Sequence, residues 1–168
     1  MGIIIGILAS LGTYFGVKTI SFAETVNELL FELKLNRKGI KFKGLKLVLP
    51  LIVKFTNPLT DTIQIDYPFV KLFYKGSSVA NSNPESGSIK IQGKGKNSFD
   101  NIKIEIPLMS LISVIPDFST LIFGLIQDIK AKNPQNTIAN AMKLASQFEY
   151  EVRSKANGID FVYAGGLV

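Results

Sequence analysis

From Leu29 onward, apolar and polar residues trade places at every second position for much of the chain, the period of a strand with one buried face. Leu29, Phe31, Leu33 and Leu35 alternate with Leu30, Glu32 and Lys34, and Asn36-Arg37-Lys38-Gly39 ends the run as a turn. Ile40 and Phe42 resume the alternation until Gly44 breaks its phase, which predicts a bulge or bend. Leu45 to Phe55 is the longest run, with Leu45, Leu47, Leu49, Leu51, Val53 and Phe55 expected on one face. Pro50 lies inside it and predicts an edge position or a bulge, because proline brings no N–H to the ladder. Shorter strands are predicted at Ile63–Tyr67, Phe69–Tyr74, Ile89–Ile91 and Ile102–Ile106. Lys75-Gly76, the polar stretch Asn81–Gly87 and Gly93-Lys94-Gly95-Lys96-Asn97 separate them.

The pattern then changes. Leu108 to Lys132 lacks the two-residue period and reads as two short helices split at Pro116, with Phe118, Leu121, Ile122 and Leu125 packing the second. Asn133-Pro134 stops it, and a further amphipathic helix would set Ile138, Met142 and Ala145 on one face. Phe148, Tyr150 and Val152 restore the alternation, and Asn157-Gly158 is a hairpin signal leading into Ile159–Tyr163. Evenly spaced short strands predict a mainly β fold. The expectation is an antiparallel β-sandwich of about seven strands with a helical insertion at about 108–146. Its expected core includes Leu47, Leu49, Val53, Ile63, Ile65, Ile102, Ile104, Phe148 and Tyr150.

Ahead of this body stands a different kind of segment. No charged side chain occurs from Met1 to Val17, the first being Lys18, and about 17 residues is the lower limit for a spanning helix. The organisation read from the pattern is an N-terminal hydrophobic helix or anchor at 1–23 and a β-domain at 24–168. Gly2, Gly6 and Ser10 recur at four-residue spacing, as do Gly12 and Gly16, and small residues at that spacing let helix backbones approach closely. A cleaved signal peptide competes, with Ser21-Phe22-Ala23 as its cleavage site, but the basic n-region is missing.

Composition narrows the chemistry. The chain has neither Cys nor His, which excludes disulfides, thiol nucleophiles, Cys/His zinc sites and imidazole bases. No cofactor, metal or catalytic constellation is expected, and no enzymatic activity. Gly93-Lys94-Gly95 fails as a phosphate loop, because Gly87 and Gly93 enclose five residues where four are needed. Formal net charge is +6. Lys34, Arg37, Lys38, Lys41, Lys43 and Lys46 follow one another without an intervening acid. They make either a contact for an anionic surface or a solvated edge that discourages strand addition. Nucleic acid is not the expected partner, since the aromatics alternate onto the core side.

The order of features resembles the late-embryogenesis-abundant group 2 domain, the LEA14-like or WHy family. Lys54-Phe55-Thr56-Asn57-Pro58 matches its apolar strand closed by Asn-Pro. Leu72-Phe73-Tyr74-Lys75-Gly76-Ser77-Ser78-Val79-Ala80 matches its tyrosine and glycine before a valine-alanine stretch. The resemblance spans about Leu29 to Tyr163 and implies a sandwich without catalytic residues, in which Asn57, Pro58 and Gly76 are structural turn positions. The long stretch from Leu108 to Ser146 departs from the pattern.

The function these readings favour is a non-catalytic structural or interaction module. Residues 1–17 would tether it to membrane lipid or to a larger protein assembly, with other protein chains as partners. Two rival readings share the features: a structural subunit of a phage virion or similar complex, its N-terminus packed against protein, and a carrier of an apolar ligand. The corresponding locations are a membrane, reached through a single N-terminal helix, or the interior of an assembly such as a virion.

Overall fold

The computed structural model describes residues 28–167. The expected N-terminal helix and its small residues Gly2, Gly6, Ser10, Gly12 and Gly16 lie outside the described residues. Within them are ten strands rather than about seven, all paired antiparallel in two sheets. The first sheet comprises β1 (Leu30–Leu35), β2 (Lys41–Lys43), β3 (Lys46–Thr56) and β8 (Lys96–Pro107). The second comprises β4 (Ile63–Asp66), β5 (Phe69–Tyr74), β6 (Ser77–Asn81), β7 (Ser88–Ile91), β9 (Glu149–Ala156) and β10 (Ile159–Gly166).

The higher count has a simple origin: several strands share lanes. Along β3, β8 occupies one entire side, so β1, opposite Leu51–Thr56, and β2, opposite Lys46–Val48, must share the other. Likewise β10 fills one side of β9, leaving β5 and then β4 end to end along the other. The break between β4 and β5 falls at Tyr67-Pro68, where proline cannot donate to a ladder. The stretch Ser77–Asn81, read from sequence only as part of a motif, is a strand of its own, paired with β5.

Pro50 corrects another expectation. It is neither on an edge strand nor in a bulge of its own strand, for β3 is the central strand of its sheet. It sits at the gap between β1 and β2, where a 3-10 turn, Arg37–Gly39, interrupts the lane and no donor is required. Its carbonyl still accepts from Asn36 N at 2.9 Å. The register irregularity on the other side lies between Leu51 and Val53 and is matched by Asn101 at φ +64 in β8. Gly44, expected at a bulge or bend, has φ +58 in the two-residue turn that joins β2 to β3.

Both sheets turn their alternating apolar faces onto one core. Leu47, Leu49, Leu51, Val53 and Phe55 from β3 are all 0 % exposed, and the expected residues Ile63, Ile65, Ile102, Ile104 and Phe148 are buried with them. Tyr150 packs against this core half-buried. Burial of each large side chain contributes about 1.5–3 kcal/mol. The two sheets meet along one margin through an isolated bridge between Ser82 and Ile104.

The insertion between β8 and β9 forms α1 (Leu108–Val114), a 3-10 turn at Pro116–Phe118, α2 (Ser119–Lys130) and α3 (Pro134–Ala145). Pro116 splits α1 from α2 as its missing N–H and ring require. Phe118, Ile122 and Leu125 are buried as expected, and Phe118 lies 4.6 Å from Tyr74 and 6.1 Å from Phe148, centroid to centroid. The packing face of α3 includes the expected Ala145 and, half-buried, Met142, but not Ile138. Thr137, Ala141, Leu144 and Ala145 are buried, whereas Ile138 is 41 % exposed. The Asn133 cap, whose side chain accepts from Asn136 N, sets the start of α3.

Candidate functional site

The outer side of the first sheet gathers the charge. Strand alternation sends every second residue away from the core, and register decides which of them become neighbours. On β1 and β2 these outward residues include Lys34, Lys41 and Lys43, opposite Ile52, Val48 and Lys46 of β3. Lys54 also projects outward from β3. On β8 the outward positions include Lys96 and Lys103, opposite Thr56 and Pro50. Arg37 and Lys38 ride on the 3-10 turn, which stands against the outward ring of Pro50; a Cβ added to Gly39 would come within 2.7 Å of Pro50 Cγ. All six cations singled out in the sequence therefore share one side of the molecule.

Three carboxylates stand among them, and Asp100 accepts from Ser98 Oγ at 3.1 Å. Glu105 accepts from Lys46 Nζ at 3.1 Å and Lys43 Nζ at 3.4 Å, and these two lysines, Lys46 first, hold its carboxyl below the usual range. Glu32 pairs with Lys34 at 2.9 Å and is lowered chiefly by that hydrogen bond. Exposed pairs of this kind add little stability. Counting Arg37 and Lys38, nine cations face three carboxylates, a surplus of six positive charges. That equals the +6 of the whole chain, so the remainder is balanced.

The second sheet provides the contrast. Its outward positions carry Asp66, Glu149, Glu151 and Asp160 against Lys71, Lys90, Arg153 and Lys155, a balanced set. Arg153 pairs with Glu151 at 2.5 Å and Lys155 with Asp160 at 3.6 Å. Sequence reasoning missed Lys96 and Lys103 because only the pairing of β8 with β3 brings them to the cationic side. Lys54 was legible, standing between Val53 and Phe55 in an alternating run.

Between the rows of charge, the outward side of β3 is apolar. Val48 is 2 % exposed, although it points away from the core. Its register neighbours Lys41 and Glu105 supply the aliphatic stems that shield it. Leu30 and Leu45 stand exposed at the two ends of this side, at 53 % and 49 %.

Asn57, Pro58 and Gly76 occupy turns. Asn57 is 0 % exposed. Its Nδ2 donates to Asp61 O at 2.6 Å and to Ile91 O and Gln92 O at 3.3 Å each, while Oδ1 accepts from Leu59 N at 3.0 Å. One side chain thus ties the loop after β3 to the end of β7. Gly93 presses against the same loop so closely that a Cβ would overlap the Thr60 carbonyl. Lys75-Gly76 and Asn157-Gly158 each have positive φ at both residues, +46 and +81, then +48 and +83, as two-residue type I′ hairpins require.

Other chemistry is sparse. Among the described residues no three His, Cys, Asp or Glu side chains lie close enough to hold a metal ion, and no helix is long and apolar enough to cross a membrane. The cleft between α2 and α3 is lined by apolar Phe118 and Leu121 together with polar Asp117, Thr120, Asn140 and Lys143. Burial pushes the Tyr67 hydroxyl up to about 12, with the Glu85 charge adding to it, and burial alone pushes Tyr163 up to about 12. Tyr163 Oη donates to Leu29 O at 2.7 Å, and its ring stacks on Phe31 at 4.5 Å.

No family model matches the chain, and no curated protein matches it. Among solved structures, a protein from Archaeoglobus fulgidus is 8 % identical over 81 % of this chain and 92 % of that one, with a TM-score of 0.39. A likeness at that level carries no argument about function.

Proposed function

We propose that this chain is a non-catalytic structural or interaction module of LEA14-like, WHy-type sandwich architecture. Its uncharged N-terminal run holds it to a membrane. The observation that carries the reading is the self-sufficiency of the core. The buried apolar set running from Leu29 to Leu167 draws on both sheets and on α1, α2 and α3, so the helical insertion supplies the cover such a core needs. The seventeen uncharged residues ahead of it suit lipid or another chain, since water is a poor solvent for them. The buried Asn57 turn and the Gly76 hairpin support the architectural part of the reading.

Removing residues 1–17 tests it. The expected result is a protein with unchanged β-type circular dichroism that no longer sediments with membranes. Loss of the β signal would place the segment within the fold. Retained sedimentation of a folded, shortened protein would move the attachment to the body. Packing of the N-terminus within a virion is the alternative reading, and cross-linking of the full chain to protein rather than to lipid would select it.

A further inference from the structure

The tether is half of an attachment; the concentration of charge on one side of the body points to the other half. We infer that the outward side of the first sheet lies flat on an anionic lipid bilayer. Lys54, Lys96 and Lys103 would act there with the row that begins at Lys34.

The argument rests on charge complementarity and on geometry. This side holds the whole positive surplus of the chain, and the opposite sheet is balanced, so the molecule has a strong electrical direction. A plane of negative headgroups responds to such a surplus with about 1 kcal/mol for each Lys or Arg near the surface, within a Debye length of about 10 Å. β3, eleven residues long, sets the length of the contact at about 36 Å. Exposed Leu30 stands at the end where the chain arrives from its apolar run, and exposed Leu45 at the far end in the turn between Lys43 and Lys46. A sheet side with an apolar residue at each end and lysines between them matches the layered polarity of a bilayer surface. Nucleic acid fits less well, because no exposed aromatic stands among these cations for bases to stack on.

The inference rests on the tethered reading only for the bilayer as partner, and the test separates the two. Full-length protein is mixed with vesicles of phosphatidylcholine alone, with vesicles containing about 30 % phosphatidylglycerol, or with a DNA duplex, and the bound fraction is measured by flotation or gel shift. The expected result is binding to both vesicles, with a clear preference for the anionic ones that vanishes near 1 M salt, where the Debye length is about 3 Å. K54Q, K96Q and K103Q should each lower that preference about fivefold, whereas K71Q and K90Q on the opposite sheet should leave it unchanged. The inference is overturned if the folded triple variant keeps its preference, if K71Q and K90Q reduce it equally, or if the duplex binds more tightly than anionic vesicles. No binding to neutral vesicles, with the lysine-dependent preference intact, would remove the tether and keep the sheet contact.

Discussion

Replacing Asn57 by alanine removes one side chain and unties two segments of the fold. In the wild-type chain its amide satisfies the Asp61 carbonyl at 2.6 Å and supports those of Ile91 and Gln92, and its oxygen satisfies Leu59 N. The two contacts at 3.3 Å are long and count for little. The two short ones each contribute about 1 kcal/mol, and a part-buried group left unpaired costs about 1–3 kcal/mol. Partial hydration of the loop offsets some of this, so Asn57→Ala should cost about 2–4 kcal/mol. For a body of this size that is a fall in Tm of roughly 6–12 °C. Asn57→Asp is the sharper probe. It keeps the volume and the acceptor for Leu59 N but turns a donor into a carboxylate facing three carbonyls. The new carboxyl would resist ionisation, so its folded-state pKa lies above its unfolded one. Its stability is therefore best below the unfolded value near 4 and is lost as pH rises through the folded value. The aspartate variant should melt far below the wild type at pH 7 and approach the alanine variant, or pass it, near pH 4. Urea titrations of all three proteins at both pH values decide the matter. If Asn57→Ala lies within about 0.5 kcal/mol of the wild type, the side chain is no tie and the reasoning fails.

The tyrosines and the helical insertion offer two further checks. Tyr67 and Tyr163, held near 12 by burial, should stay protonated in an ultraviolet titration to pH 11 while exposed tyrosines ionise; since their folded pKa exceeds the unfolded value of about 10, their contribution to stability is complete below pH 10 and should be lost between 10 and 12. On α3, Leu144→Ala should cost about 2–5 kcal/mol by opening a cavity, while Ile138→Ala should change stability by less than about 0.5 kcal/mol; equal losses would restore the helix face expected from sequence.

Strand positions and hairpin turns were legible because they depend on neighbours in the chain. Alternation of apolar and charged residues marked β3, and Asn157-Gly158 announced a hairpin that carries the required positive φ, whereas Lys75-Gly76 was read only as the end of a strand. What depends on partners was not legible. The lane shared by β1 and β2 explains both the extra strands and the tolerance for Pro50, and no local pattern encodes it. α3 shows the limit within a single element, for Ile138 of its expected face is exposed while Ala141 and Leu144 are buried, and its packing partners rather than its own periodicity decide that. At the candidate site, the run from Lys34 to Lys46 was visible, but Glu105 and Lys103 reach the same surface from a strand about 60 residues later, by way of non-local pairing.

β1 is the strand that meets any pull transmitted through the N-terminal run, and among the described strands it pairs with β3 alone. Tension directed outward from the body would work as on a zipper, opening the six positions one at a time from the Leu30–Thr56 pair. Tension along the strand axis would load all six together, in shear, and so meet far greater resistance. Tyr163 stands just ahead of the zipper, its hydroxyl fastened to the Leu29 carbonyl like a pin. A body lying with its first sheet parallel to the surface that anchors it would take drag along β1 rather than across it, the direction in which this attachment is mechanically strongest.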